Sequence, residues 1–217
     1  MQPHIAFLHT SPVHVETFTR LLSQAAPGLR AEHIVDEALL ADAQRVGAAD
    51  PSLVARVHDA MAAAAGRGAG LVVCTCSTIG GAAERTPTAG RFKAARIDRA
   101  MADRAVELGP KVLVVVALES TLGPTTGLLM ESAAAAGAGV DIRPLQVEGA
   151  WAHFLGGDRD AYVGSVADAV RAGRGDCDVV VLAQASMAPA AQLLADLGVE
   201  VLSSPGLGVQ AITAHFA

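Results

Sequence analysis

Long apolar segments, an excess of basic residues and nucleotide-binding glycine motifs are all missing from this sequence. The longest apolar run, residues 112–118, has the length of one strand, and the run at 5–8 is too short for a signal peptide, so neither a membrane span nor a secretion signal is predicted. The formal net charge is −6, so nucleic acid and anionic membranes are not expected partners. Neither Gly-x-x-x-x-Gly-Lys-Ser/Thr nor Gly-x-Gly-x-x-Gly after a first strand is present, so no nucleotide cofactor is predicted.

Cysteine is scarce, and the three positions it occupies exclude further classes of protein. Cys74 and Cys76 share one strand face but lie too far apart for an unstrained disulfide. Cys177 lies in a turn between two aspartates, where a functional role is not expected. A zinc site needs about four ligands, and the Cys-x-Cys pair has no matching partner pair. We therefore expect no disulfide framework, no metal, no cofactor and a reducing, cytoplasmic location.

What the sequence does contain is 52% apolar residues, in short β-branched runs that alternate with helical patterns. This alternation predicts an α/β fold of mostly parallel strands with helices on both faces. Strands are expected at 5–8, 32–35, 71–73, 112–118, 140–144, 179–182 and 199–202, with either a short strand or only a connection in 91–97. Segments 119–127 and 203–208 are expected to be loops before helices at 128–136 and 209–216, and a helix is expected to run to residue 197.

The chain is organised around the turn that follows the strand at 71–73. Cys76 lies where that strand ends and an Ala-rich helix begins, and Ser77 or Thr78 can cap the helix. The positive end of a helix dipole favours the thiolate form of a cysteine, so Cys76 is predicted to be a reactive thiol. Cys74, two residues earlier, is predicted to be a small core residue.

The same strand-to-helix turn recurs 108 residues later. That offset places Cys76 on Gln184 and Thr78 on Ser186, which predicts a duplicated βαβ unit. We therefore expect two similar lobes, a first of residues 1–100 plus 203–217 and a second of residues 101–202, with the active site in a cleft between them. The alternative is that a short Ala-rich match has arisen by chance.

Polar loops follow five of the predicted strands, at ends that meet along one edge of a parallel sheet. Hydroxyls and helix N-termini without Lys or Arg are typical of a site that holds a small carboxylate through amide N–H groups. The alternative is that Ser and Thr merely cap helices. The residues expected to bind substrate are His9, Ser11, Ser77, Thr78, Ser120, Thr121, Ala185 and Ser186.

These two turns resemble the motifs of the aspartate/glutamate racemase superfamily. Residues 76–79, Cys-Ser-Thr-Ile, resemble the first-lobe motif Cys-Asn-Thr-Ala, and residues 183–189, Ala-Gln-Ala-Ser-Met-Ala-Pro, stand in the place of Gly-Cys-Thr-His followed by an aromatic residue and Pro. The resemblance extends to hydantoin racemase, maleate isomerase and arylmalonate decarboxylase. It implies two α/β lobes and cofactor-independent chemistry on a small carboxylate or amino-acid-like substrate, with Cys76 and Gln184 at the catalytic positions.

The sequence departs from that family at its second thiol. Gln184 stands in its place, and an amide cannot act as an acid near neutral pH. The resemblance therefore implies a racemase- or isomerase-like enzyme with a single thiol, Cys76. The alternatives are a decarboxylase or lyase of the same superfamily and a non-catalytic protein that binds a small carboxylate. The sequence leaves open whether the chain forms a homo-oligomer.

Overall fold

The computed structural model describes residues 4–214 and 216, which form two compact α/β units. The first unit contains the described residues up to Asp98 together with 205–214 and 216, and the second extends from Arg99 to Ser204. Each unit contains one four-stranded parallel sheet with helices around it. The predicted α/β fold class with two similar parallel-sheet lobes is therefore confirmed. No helix within the described residues is both long and apolar enough to cross a membrane.

The first sheet has the strand order β2-β1-β3-β4. Its strands are β1 (His4–His9), β2 (Arg30–Val35), β3 (Leu71–Cys74) and β4 (Lys93–Arg96). The helices of this unit are α1 (Val13–Ala25), α2 (Glu37–Val46), α3 (Pro51–Gly66), α4 (Ser77–Glu84) and nearly all of α10 (Ser204–Thr213). Because the strand order reverses between β1 and β3, the carboxyl ends of these two central strands form the edge where open α/β sheets bind ligands.

The second sheet repeats this order as β6-β5-β7-β8. Its strands are β5 (Lys111–Val116), β6 (Asp141–Gln146), β7 (Val179–Leu182) and β8 (Glu200–Ser203). The helices are α5 (Arg99–Leu108), α6 (Leu122–Ala136), α7 (Ala150–Leu155), α8 (Arg159–Gly173) and α9 (Ala190–Leu193), with 3-10 turns at Glu119–Thr121 and Ala185–Met187. The offset of 108 residues that relates Cys76 to Gln184 also relates the bounds of β3 to those of β7, so the duplication extends to the strands.

The central strand β1 is buried on both of its faces. Ala6 and Leu8 belong to a cluster with buried residues of α2, α3 and α4, while Ile5 and Phe7 belong to a second cluster with buried residues of α1 and α10. A strand covered on both faces carries consecutive apolar residues rather than alternating ones, as β3 and β7 do throughout and as β1 and β5 do over residues 5–8 and 112–116.

Several sequence-based element predictions are wrong, and proline accounts for two of them. Segment 119–127, predicted to be a loop, is a 3-10 turn followed by the first part of α6, and α10 begins at Ser204 rather than at 209. Both helices hold a proline within their first turn, Pro124 and Pro205, where its missing N–H has no intrahelical partner to lose. Helix α2 was not predicted, and α9 ends at Leu193 instead of extending to residue 197.

Helix α10 packs against Ile97 through a glycine that leaves no room for a side chain. A Cβ atom on Gly208 would overlap the carbonyl oxygen of Ile97 and would lie 2.7 Å from its Cδ1. A Cβ atom on Gly206, in the same helix, would meet nothing within 4 Å. A substitution at Gly208 therefore tests close packing, whereas one at Gly206 tests helix propensity alone.

Replacing these glycines should change stability in opposite directions. Gly208→Ala forces backbone to move and should lower the free energy of unfolding by about 1–3 kcal/mol. Gly206→Ala adds helix propensity without a clash and should raise it by about 0.5–1 kcal/mol. Urea unfolding followed by circular dichroism measures both, and equal shifts for the two variants would contradict the packing of α10.

Candidate functional site

The Cys76 turn lies at the carboxyl end of β3, beside the end of β1. The backbone N–H of Thr75 donates to the Leu8 carbonyl at 3.0 Å, which extends the pairing of the two strands by one residue. Cys76 is the N-cap residue of α4, its side chain makes no capping hydrogen bond, and it is partly exposed. Ser77 and Thr78 follow it as buried residues in the first turn of α4. The helix N-terminus favours negative charge at this position.

Beneath α4 lies a buried ion pair that sequence analysis did not identify. The Nε of Arg96 donates to Asp98 Oδ1 at 2.6 Å and its Nη2 donates to Oδ2 at 3.0 Å, and both side chains are almost fully buried. The guanidinium also donates to the Ser77 carbonyl at 3.4 Å. A Cβ atom on Gly80 would lie 3.0 Å from the Arg96 Nε, so a glycine in α4 lets the guanidinium lie against the helix. This pair fixes the start of the helix that follows the thiol.

The other two cysteines are buried. Cys74 belongs to the core of the first unit, as predicted, and its Sγ lies 3.6 Å from the Cys76 carbonyl oxygen. Burial, and then the neighbouring Cys76, raise the pKa of the Cys74 thiol. Burial also raises the pKa of Cys177, which lies in the core of the second unit. Cys76 is the most accessible of the three thiols.

His9, predicted to bind substrate, lies at the end of β1 with no exposed surface. Its Nδ1 lies 2.8 Å from Thr75 Oγ1 and its Nε2 lies 2.8 Å from His33 Nδ1, so protein groups occupy both ring nitrogens. Burial, followed by His33 and His14, lowers the pKa of His9 to about 3. Ser11, two residues after β1, is partly buried just before α1.

In the second unit, Gln184 lies at the carboxyl end of β7, before the 3-10 turn Ala185–Met187. Its Oε1 accepts the backbone N–H of Ala117 at 2.7 Å and that of Leu118 at 3.3 Å. With the oxygen bound to two N–H groups, the amide can offer a ligand only its Nε2 donors. Gln184 is therefore a neutral donor in the turn that corresponds to that of Cys76.

The hydroxyl groups of the second unit lie at the ends of β5 and β7. Ser186 Oγ lies 2.8 Å from the hydroxyl of Tyr162, whose pKa burial raises to about 12, so the phenol is protonated at neutral pH. Ser120 and Thr121 lie in the 3-10 turn after β5, and Ala185 is buried. The Ser120 Oγ is buried without a hydrogen-bond partner among the described residues. It therefore keeps an unused hydrogen-bonding capacity.

The structure thus brings the predicted site residues together in two groups, one for each unit. His9, Ser11, Cys76, Ser77 and Thr78 lie at the ends of β1 and β3. Ser120, Thr121, Gln184, Ala185 and Ser186 lie at the ends of β5 and β7. Sequence reasoning missed Thr75, His33, Arg96 and Tyr162, because only the folded chain places these residues beside the turns.

Two cavities within the part of the chain that the structure describes lie away from the turns at the strand ends. One cavity of about 520 Å³ lies between α1 and α10, and one of about 400 Å³ lies at the amino ends of β5 and β6. No predicted site residue lines either of them. Among residues 4–214 and 216, no three His, Cys, Asp or Glu side chains cluster in a way that could hold a metal ion. The turns at the strand ends are therefore the candidate site.

Acidification should destabilise the fold in a window set by His9 and His33. Both pKa values are lowered from 6.5 in the folded protein, so below that pH the unfolded chain binds more protons than the folded one. The free energy of unfolding therefore falls as the pH falls below 6.5, and the contribution of His9 continues down to about pH 3. Each such group contributes a slope of at most about 1.4 kcal/mol per pH unit. Carboxylates such as Asp42, whose pKa is lowered from 3.8 by Arg45 and Arg56, add a further loss of stability mainly around and below that value.

Urea unfolding between about pH 6.5 and pH 4.5 measures this slope. Replacing His9 with Asn should make the slope shallower. A wild-type stability that is flat across the window, or an unchanged slope in His9→Asn, would contradict the neutral burial of this ring.

No protein-family model and no curated protein matches the sequence. Solved structures do match. The aspartate racemase of Picrophilus torridus has a TM-score of 0.71 at 14% identity, covering 98% of this chain and 94% of that one. Allantoin racemase from Klebsiella pneumoniae has a TM-score of 0.67 at 19% identity, covering 99% of this chain and 88% of that one. A mutant of arylmalonate decarboxylase in a sulfate-associated form has a TM-score of 0.59 at 16% identity, covering 98% of this chain and 92% of that one. The expected resemblance is thus confirmed at the level of the fold: these structures share the α/β fold of this chain.

Proposed function

We propose that the protein is a cofactor-independent racemase- or isomerase-like enzyme that acts on a small carboxylate through a single thiol, Cys76. The observation that carries this proposal is the position of Cys76. It is a partly exposed thiol at the N-terminus of α4, beside the strand pair where the first sheet reverses its order. Such a position combines access for a ligand with stabilisation of negative charge.

The chemistry proposed for Cys76 is proton abstraction from the carbon next to a carboxylate. The thiolate takes the α-proton and becomes a thiol, while the electron pair of the C–H bond spreads onto the carboxylate. Helix N-termini and hydroxyl groups stabilise this charge as it develops. We propose that Ser11, Ser77, Thr78, Ser120 and Thr121 serve that role. The unpartnered, buried Ser120 Oγ supports the assignment, since a ligand oxygen would satisfy it.

Gln184 has a different proposed role from the thiol it replaces. Its oxygen is held by the N–H groups of Ala117 and Leu118, which leaves the Nε2 protons as donors to a substrate oxygen. It can stabilise charge but cannot return a proton at neutral pH. The returning proton is proposed to come from water or from Ser186, whose Oγ lies 2.8 Å from the Tyr162 hydroxyl.

A decarboxylase is the second candidate, and the single accessible thiol favours it. Decarboxylation forms a carbanion without removing a proton, so one acid suffices to complete the reaction. The fold is also that of arylmalonate decarboxylase. Release of carbon dioxide from a malonate-like diacid, without exchange of the α-proton of a mono-acid, would favour this reaction. Stoichiometric binding of the acid without either reaction would favour a non-catalytic binding protein.

The first test of the proposal is the Cys76→Ser variant. A serine hydroxyl has a far higher pKa than a thiol, so α-proton exchange should fall by about 10²–10⁴-fold. Exchange in D₂O, followed by NMR over a panel of small amino acids, hydantoins and dicarboxylic acids, measures this loss. The matched control is Cys177→Ser, which replaces a buried thiol of the other unit and should keep wild-type exchange. Full activity in Cys76→Ser would reject the thiol mechanism.

The second test restores the missing thiol. Gln184→Cys should create or raise racemisation of a small acidic amino acid or a hydantoin, because a second thiol can return the proton that Cys76 removes. Gln184→Ser is the control, since it shortens the side chain without adding a thiol. Chiral chromatography of the product measures the effect. Identical racemisation by the two variants would contradict the role proposed for position 184.

A further inference from the structure

A hydrogen-bonded chain of four side chains connects the thiol turn to the surface of α1. Thr75 Oγ1 lies 2.8 Å from His9 Nδ1, His9 Nε2 lies 2.8 Å from His33 Nδ1, and His33 Nε2 lies 3.0 Å from Thr19 Oγ1. The chain begins at the buried end of β3, passes through β1 and β2, and ends at an exposed residue of α1. It therefore ties four elements of the first unit to one another.

The inner end of this chain lies next to Cys76 in the sequence. Thr75 is buried, and the Leu8 carbonyl accepts its backbone N–H at 3.0 Å and its hydroxyl at 3.2 Å. With the bond to His9, three contacts hold Thr75 against the last two residues of β1. Any movement of Thr75 would be passed directly to the thiol that follows it.

His9 is held in place by its surroundings as well as by its two bonds. The centroid of its ring lies 6.0 Å from that of Phe7, 5.6 Å from that of Phe18 and 6.4 Å from that of His14. The planes of the His9 and His33 rings differ by only 12°. Because both nitrogens contact protein groups, the ring in this arrangement has no donor or acceptor left for a substrate. It can act on the site only through Thr75.

The number of protons in the chain shows that the His9–Thr75 bond does not depend on one tautomer. Besides its three internal contacts, the chain ends in the contacts Thr75–Leu8 carbonyl and Thr19–Val15 carbonyl, at 3.2 Å and 2.8 Å. Two neutral rings and two hydroxyls supply four protons for these five contacts. One contact therefore lacks a proton. When every donor points toward Thr19, it is the contact between Thr75 and the Leu8 carbonyl; when every donor points toward Thr75, it is the contact between Thr19 and the Val15 carbonyl. The bond between His9 and Thr75 is present in both.

We propose that His9 is a positioning residue, which holds Thr75 and thereby the Cys76 turn, and that His33 holds His9. The effect on turnover rests on the proposed function, whereas the effect on thiol reactivity does not. The chemistry of Cys76 requires its sulfur in one place, and a displacement of about 1 Å can slow a reaction by up to about 10²-fold. His9 supplies that restraint without touching the substrate.

The experiment compares the alkylation of Cys76 in variants of Thr75. The rate with iodoacetamide is measured by tandem mass spectrometry, which separates Cys76 from Cys74 in the same peptide. Thr75→Val keeps the shape but removes the hydroxyl, and the rate should fall by about tenfold. Thr75→Ser keeps the hydroxyl and should restore the wild-type rate. Thr19→Val, at the exposed end, is the matched control and should leave the rate unchanged.

A second comparison approaches the same bond from the other side. His9→Asn leaves an amide near the position of Nδ1, whereas His9→Leu leaves no polar group, so His9→Leu should alkylate more slowly than His9→Asn. In the unaltered protein, ¹⁵N NMR at pH 7 should show a scalar coupling between His9 Nε2 and His33 Nδ1 across their hydrogen bond. That coupling should disappear in His33→Leu.

Wild-type alkylation in folded Thr75→Val, equal rates in the two His9 variants, or the absence of the coupling would each overturn the proposal. Failure of the proposed thiol mechanism would be seen in a different measurement, the turnover of Cys76→Ser. If Cys76→Ser keeps full turnover, the proposed function fails, while alkylation and NMR still decide whether His9 positions the turn.

Discussion

Pairing between two central parallel strands is the constraint on which each unit depends. In the first unit β1 pairs with β3, and in the second β5 pairs with β7, with helices covering both faces. The outer strands then extend the sheet in opposite directions from this pair. The chain must therefore leave the ends of the central strands by turns that point away from each other, and the groups between those turns are not covered by another strand. Cys76 and Gln184 both follow the second strand of such a pair.

The two turns share their backbone plan and differ in their chemistry. Cys76 has a partly exposed side chain at the start of a full helix, α4, which an ion pair between Arg96 and Asp98 supports from below. Gln184 is followed only by a 3-10 turn, and its side-chain oxygen is bound to the backbone after β5. One unit therefore carries a partly exposed thiol, and the other carries a neutral amide whose oxygen is already bound. That asymmetry is the physical basis for proposing a one-thiol reaction.

The local pattern of the sequence was sufficient to predict most of the fold. The β-branched run at 179–182 predicts β7 with its observed bounds, and Asp50 before Pro51 correctly marks the start of α3, where its side chain accepts the N–H groups of Ser52 and Leu53. The pattern failed at the starts of α6 and α10, where Gly, Pro or Thr lie inside the helix. Thr125 and Leu128 in α6 are buried, so packing stabilises a helix that local propensity disfavours.

The sequence by itself determined the fold class, the duplication and the residue types of the two turns, because hydrophobic periodicity and strand-to-helix junctions are local properties of the chain. Tertiary structure alone decided which partners those turns have. Thr75, His9 and His33 are separated by 66 and 24 residues along the chain, yet form consecutive hydrogen bonds. Gln184 reaches the backbone of Ala117, 67 residues away. Such contacts arise because parallel pairing brings the ends of distant strands together, a proximity that no local pattern records.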